Sequence, residues 1–425
     1  MDIELARSLK RNITVNLLDG GFFGLAIGFA SFTTVIPLFV SSLTNSALLI
    51  GLIPAIHNVG WQLPQLFTAR RVSQQSRFKP MVLMMTIHER LPFLGLALVA
   101  LFTPIFGPSV AILLTFLLLI WQGLGAGFTA IAWQSMIGKI IPSENRGTFF
   151  GAQSAAANLL ASFSAILAGL ILQRIAYPHN YSLDFLLCFL AMIVSYIFLS
   201  LTHETENKPV ETPGKLSLRK DAVSILQKDR NFGWFVVVRM LSQFAIIGFA
   251  FYTVYAVNNL GMSDFAVGVL TSVLLATQII ANPVMGWLGD RWSHRSVMLG
   301  GILASVLSAL LAWWAPTAAW FFPVMILTGI TNVAMWTIGL AMIQEFGTEA
   351  ERSTYIGLSN TLIVPFTILA PFIGGWLAEI YGYPSVFFTS AIFGLITASI
   401  LKWLVHDPEP EFDSFSITYP AGKPK

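Results

Sequence analysis

"GWLGDRWSHR", Gly286–Arg295, is a charged decapeptide between two almost wholly apolar runs, "VLTSVLLATQIIANPVM" before it and "VMLGGILASVLSALLAWW" after it. Each run has about the length needed to cross a bilayer, roughly 20 residues. Asp290, Arg291, His294 and Arg295 in the turn therefore mark one membrane face of a helical hairpin. The rest of the chain has the same character. Its 425 residues are 55% hydrophobic and 11% charged, with mean hydropathy +0.72. A soluble domain carries about 25% charged residues, so this chain has too few to cover a water-facing surface. Barrel strands would be about half as long as these runs and would alternate. The fold class is an all-α integral membrane protein. Cys188 lies in an apolar run, which excludes a disulfide framework.

About twelve transmembrane spans follow from the hydropathy pattern. They lie near 14–40, 46–68, 80–103, 108–138, 147–174, 181–202, 231–257, 264–288, 296–315, 318–344, 352–380 and 384–405. "MDIELARSLKRN" reads as a charged amphipathic lead into the first span rather than a signal peptide. With both termini cytoplasmic, 21 of the 24 lysines and arginines fall on the inner side; Arg174, Arg90 and Arg239 are the exceptions. Positive charge marks the cytoplasmic face, and this asymmetry sets the expected orientation. Trp313, Trp314 and Trp320 form an aromatic belt at the other face.

The long polar segment His203–Arg230 divides the chain into an N-terminal six-helix bundle (1–202), a cytoplasmic linker (203–230) and a C-terminal six-helix bundle with a short tail (231–425). The halves resemble each other. "IGFASFT" (Ile27–Thr33) matches "IGFAFYT" (Ile247–Thr253) at an offset of 220. "NRGTFFG" (Asn145–Gly151) matches "ERSTYIG" (Glu351–Gly357) at 206, an offset shared by Met136/Met342 and Gly169/Gly375. Both members of each pair enter the membrane from the same side, so the repeat is parallel. The loop Gly286–Arg295 is similar to the G-x-x-x-D-R-x-x-R-R signature of the major facilitator superfamily, with His294 at a usually basic position. Two parallel six-helix bundles are that superfamily's arrangement. "ERLP" (Glu89–Pro92) resembles a large set of its uncharacterised bacterial members.

The resemblance implies a secondary transporter of the bacterial inner membrane, working by alternating access as a monomer on a small-molecule substrate. No nucleic-acid partner, cofactor, metal or enzyme activity is implied. Gly286 would allow close helix approach, Asp290 would face the positive end of a neighbouring helix, and Arg291 and Arg295 would anchor the turn. Together with Arg146 these residues would gate the bundles. The matching loop of the first half has Arg70 where the aspartate belongs. No G-x-x-x-x-G-K-[ST] phosphate loop occurs, so an ion or substrate gradient would supply the energy. "GLGAG" (Gly123–Gly127) reads as tight helix contact, not as a nucleotide turn.

Ionisable groups inside a membrane are expensive and mark functional positions. Asp19 and Arg239 are repeat-equivalent, again 220 residues apart, on spans that face each other in the superfamily. They are expected to pair when the cytoplasmic side is closed. His57, Asn58, Gln122, Trp133, Gln134, Gln278, Asn282 and Trp336 are the expected cavity lining, aromatic and amide-rich with little charge. His88, Glu89 and Arg90 sit about 15 Å into span 3 by helical rise. His-Glu opens a zinc-protease motif, but Pro92 stands where its second histidine is required. The triplet is read as a tie within its own bundle, with a proton relay as the alternative. Span 5 lacks the G-P-x-x-G-G kink of the proton-drug antiporters, and Leu119 stands where they carry arginine. Export of a small neutral or amphipathic compound, with proton coupling open, is the expected function. Uptake of a polar nutrient such as a sugar, or a non-transporting sensor or scaffold, are the alternatives.

Overall fold

The computed structural model describes residues 3–73, 75–206, 225–343, 345–346 and 352–407. Twelve helical spans account for nearly all of them. The first half holds α1 (Ile3–Phe29, resuming as Val35–Leu43), α2 (Ala47–Ser73), α3 (Lys79–Phe106), α4 (Pro108–Ile140), α5 (Ser143–Arg174) and α6 (His179–Ser200). The second half holds α7 (Arg230–Ala245, a 3₁₀ turn Ile247–Ala250, then Tyr252–Asn258), α8 (Asp264–Arg291) and α9 (His294–Trp314). It continues with α10 (Phe321–Val333, a π turn Ala334–Ile338, then Gly339–Ile343), α11 (Arg352–Tyr381) and α12 (Tyr383–Trp403). Eleven spans are long and apolar enough to cross a bilayer; α2, 27 residues with Pro54 and Pro64 inside, is the twelfth. The 33 residues of α4 reach about 50 Å, well beyond the hydrocarbon core, so it must tilt.

The packing repeats with the sequence. In the first bundle α1 packs on α5 and α6, α2 on α4, and α3 on α4 and α6. The same five pairings recur six helices later: α7 on α11 and α12, α8 on α10, α9 on α10 and α12. The "IGFASFT" and "IGFAFYT" segments are where α1 and α7 each break. "GLGAG" does bring helices together. Gly123 and Gly127 lie against Gly60 of α2, and Gly125 against the His88–Glu89 backbone of α3.

A further repeat element emerges at the end rich in lysine and arginine. Asn12 clamps the backbone of His203, donating to its carbonyl at 2.9 Å and accepting its N–H at 2.8 Å. Asn231 clamps His406 in the same way, at 3.0 and 2.8 Å. The next acid in each case reaches the hairpin turn of its own bundle. Glu204 accepts from the Phe78 and Lys79 amides and from Lys139 at 2.9 Å. Asp407 accepts from Ser293 at 2.5 Å and lies 3.6 Å from Arg295. Residues 203–206 thus fold onto the first bundle, while the linker from 207 to 224 lies outside the described residues.

The two bundles meet through α5·α8 and α2·α11, again a repeat-related pair. Their close contacts lie toward the end poor in lysine and arginine. Gly169 faces Gly268, and a Cβ on Gly268 would sit 2.3 Å from the Ala165 carbonyl oxygen. A Cβ on Gly375 would sit 2.3 Å from the Leu48 Cα. Glu379 accepts from the Ser46 hydroxyl at 2.5 Å and the Leu48 amide at 3.2 Å, capping α2 from the opposite bundle. Ser272 adds a hydrogen bond to the Ser162 carbonyl at 2.7 Å. Since backbone cannot yield as a flexible side chain can, Gly268→Val and Gly375→Val should each force this end apart. Labelling of a cysteine placed at Thr33 by a water-soluble maleimide should then speed up several-fold from the charge-poor side. Cys188 is fully buried and contributes little background; unchanged labelling would show that this contact is not the seal.

Candidate functional site

Between the bundles lies a cavity of about 450 Å³, a volume typical of small-molecule sites. It is walled by both halves of the repeat. α1 contributes Phe32 and Thr33 at its break; α2 contributes His57, Asn58 and Gln62. α7 supplies Arg239, Ser242 and Gln243, α8 supplies Gln278 and Asn282, and α10 supplies Asn332 and Trp336. The π turn of α10 matters here: it puts Met335, Trp336 and Thr337 in the lining. Such turns recur at functional sites because they re-aim side chains within a helix. Thr337 donates to the Asn282 amide oxygen at 2.7 Å. The Trp336 ring meets Trp61 of the other bundle edge-on, with centroids 6.3 Å apart.

Of the expected lining residues, His57, Asn58, Gln278, Asn282 and Trp336 are in this cavity. Gln122, Trp133 and Gln134 are not. Gln122 is buried behind His57, bonded to its Nδ1 at 2.9 Å. The His57 ring also stacks on Phe32 at 4.0 Å, so two contacts fix its plane. Trp133 and Gln134 face a second cavity, about 280 Å³, inside the first bundle. α4 lies behind α2 here, which turns its polar residues away from the bundle interface. Gln62, Gln243 and Asn332 were missed. Gln243 follows Arg239 by one helical turn, a spacing that could have signalled a shared face.

Asp19 and Arg239 do not meet in this structure, because each has nearer partners in its own bundle. Asp19 Oδ1 accepts from Ser195 at 2.6 Å and lies 3.5 Å from Arg90 Nη2. Arg90 also donates to Ser195 Oγ at 2.9 Å and to the Met192 carbonyl at 3.2 Å, both on α6. Its guanidinium lies 5.7 Å from the Phe23 ring centre and 3.7 Å from Glu89. Arg90 therefore links α3, α1 and α6, and Asp19, Glu89 and Arg90 all line the second cavity. The third member of the triplet points elsewhere: His88 is exposed and accepts from Trp121 Nε1 at 3.1 Å. Arg239, by contrast, donates to Ser359 Oγ at 2.9 Å and to Asn360 Oδ1 at 3.1 Å.

The Gly286–Arg295 turn departs from expectation in two places. A Cβ on Gly286 would meet open space; the close approach is at Gly289, against the His294 ring. Asp290 is 81% exposed, with His294 Nε2 at 3.5 Å. His294 bridges onward to Glu345 at 2.6 Å. Arg291 lies over the Trp287 ring, 5.5 Å from its centre. Arg295 donates to the Leu401 carbonyl at 3.1 Å and to that of Lys402, which fastens the turn to α12. All these partners belong to the second bundle. The Arg146 and Arg70 side chains lie outside the described residues.

The profile described as Major Facilitator Superfamily matches residues 88–257 and 243–417. Multidrug resistance protein 1 of Bacillus subtilis is 29% identical over 152 residues, 36% of this chain and 39% of its own length. The multi-drug resistance efflux pump PmrA of Streptococcus pneumoniae is 27% identical over 149 residues, 34% of this chain and 37% of its own. These matches thus span under half of each relative. The crystal structure of a nucleoside transporter, NupG, superposes with a TM-score of 0.71 at 15% identity, covering 92% of this chain and 99% of that one.

Arg90→Leu should destabilise the chain by about 3–5 kcal/mol, the cost of stranding a buried partner charge. Adding Asp19→Asn to Arg90→Leu should recover much of that loss, read as the thermal unfolding midpoint in detergent. Failure of the second change to recover stability would mean that Arg90 acts through its α6 contacts alone.

Proposed function

The chain belongs to the major facilitator superfamily, and on that premise we propose that it exports a small amphipathic compound by alternating access between its two bundles. The observation that carries this reading is the cavity: it lies between the repeats, and the bundles close on each other beside it at the charge-poor end. The positive-inside rule puts the charge-rich end, both termini and the Gly286–Arg295 turn in the cytoplasm, here of a bacterial inner membrane. We take the structure as the inward-facing state, in which an exporter loads its substrate. The multidrug names of the two bacterial relatives favour export. They outweigh the missing arginine at Leu119, since this chain carries its buried first-bundle arginine on α3 instead.

Asp19, Glu89 and Arg90 are the proposed coupling site. Two carboxylates share one guanidinium there, so one added proton makes the cluster neutral. A buried charge is costly unless paired, and changing this balance would change which packing of α1, α3 and α6 is favoured. The turn Gly286–Arg295 is the proposed gate element: among the described residues its side-chain partners all lie in the second bundle, and it is available to the first when the inner side closes. The amide-rich wall of Asn58, Gln62, Gln278, Asn282 and Asn332 also suits uptake of a polar nutrient, the second reading.

Accumulation of a panel of lipophilic dyes and drugs in an efflux-deficient bacterium separates the two. Cells making the wild-type chain should accumulate several-fold less of at least one compound, and Asp19→Asn at matched expression should restore it. Unchanged accumulation across the panel would sink export of such compounds and leave uptake standing.

A further inference from the structure

Arg239 is the feature of the central cavity that the export reading leaves unused. It is 5% exposed, and the described hydrogen bonds of its guanidinium go to neutral groups, Ser359 Oγ and Asn360 Oδ1. Among the described residues no carboxylate lies within ion-pair distance of it. Among the described residues the cavity wall contains no aspartate or glutamate. Its other ionisable member, His57, is engaged by Gln122 and Phe32. The first bundle handles its buried arginine in the opposite way, with Asp19 and Glu89 beside Arg90.

A buried cation with no counter-charge is unfavourable in a membrane interior. Stability alone does not account for Arg239 at this place, because a neutral side chain could bond to Ser359 and Asn360 without that cost. The guanidinium presents a rigid fork of donors that matches a carboxylate two-to-two. One guanidinium balances one negative charge, so a dianionic phosphate ester would be left half-compensated. Around it the wall alternates amides with Met325, Met335, Ile363 and Trp336, which suits an apolar or aromatic body of modest size.

We propose that the central cavity is a site for a small amphipathic monocarboxylate, with Arg239 as the group that holds the carboxylate. This rests on the transporter reading above and narrows its substrate from neutral or amphipathic compounds to monoanionic ones. Asn360 and Ser359 are positioning residues that hold the guanidinium plane.

Binding is measured on the purified full chain in nanodiscs, from Trp fluorescence and the thermal unfolding midpoint. The probes are phenylbutyrate, the uncharged phenylbutyramide and the cationic phenylbutylamine, which share one apolar body. Phenylbutyrate should bind saturably, and the amide and amine should bind about tenfold or more weaker, the scale expected for losing a buried charge-assisted pair. Arg239→Gln should abolish the preference and Arg239→Lys should keep part of it, each variant first checked for monodisperse elution. The wild-type comparison stands even if both variants fail to fold. Equal binding of acid and amide, preference for the amine, a preference that survives Arg239→Gln, or no binding of any probe would each overturn the inference. Because no transport is required, the result separates from the export assay. A chain that binds the acid but exports no panel compound keeps this inference and loses that one. A chain that exports dyes yet shows no acid preference does the reverse.

Discussion

Close approach of backbones at the charge-poor end of α5·α8 and α2·α11 is the constraint on which the cavity depends. Lipid offers no hydrophobic drive to join helix to helix, so association relies on packing and on small residues that let backbones touch. Gly169 against Gly268, and Gly375 against Leu48, supply that contact. Glu379 then caps α2 across the interface, accepting the Leu48 amide, which ties that helix N-terminus to closure of the two bundles. The geometry is symmetric because the repeat is parallel: the glycine that keeps the 206-residue offset plays the same part in each half. With this end held together, the wider separation of the same helices further along makes room for the cavity.

The repeat is symmetric in shape but not in charge. α1 and α7 carry Asp19 and Arg239 at equivalent positions, yet each group answers to its own bundle. In the first, Arg90 from α3 compensates Asp19 and bonds to two groups of α6, so the charges are satisfied within the bundle and removed from the interface. In the second, Ser359 and Asn360 accept hydrogen bonds from Arg239 but supply no charge. An internal cluster of two carboxylates on one guanidinium suits a proton site that does not touch cargo. An uncompensated cation on the shared wall suits contact with cargo. On the proposed reading the two halves have separate tasks, coupling in one and recognition in the other.

The span count, the division into halves and the parallel repeat are legible in the sequence, because hydropathy reports contact with lipid and the positive-inside pattern reports the membrane faces. The lining of the cavity is only partly legible. Helices such as α4 and α5 are apolar all round, so no polar stripe tells which face turns inward. Asn58 and Gln122 look alike in sequence; one faces the cavity and the other lies behind His57. The group beside Asp19 in this structure is equally hidden: repeat equivalence points to Arg239 for the state closed on the inner side, while Arg90 of α3 lies 3.5 Å away here. Gly286 meets open space in this structure, and the close contact of the turn is made by Gly289 and the unusual His294.

The clamps at the charge-rich end were missed because their signal is only two residues long, Arg-Asn within the first helix of each half and His followed by an acid after the last. Their consequence is mechanical. Asn12 and Asn231 fix the ends of α6 and α12 to the starts of α1 and α7, while Glu204 and Asp407 fix the α2–α3 and α8–α9 turns to the same points. Each bundle is thereby tied to itself at the charge-rich end, which opens and closes in the proposed cycle. These hydrogen bonds and ion pairs lie within each bundle and do not cross between the two. Motion in the proposed cycle therefore concentrates at the inter-bundle surface, where α5·α8 and α2·α11 act as the pivot, and each half swings as one body. The Gly286–Arg295 turn travels with the second bundle, carried by Arg295 on α12. In the proposed cycle its charged groups come to the first bundle when that swing brings the inner ends together.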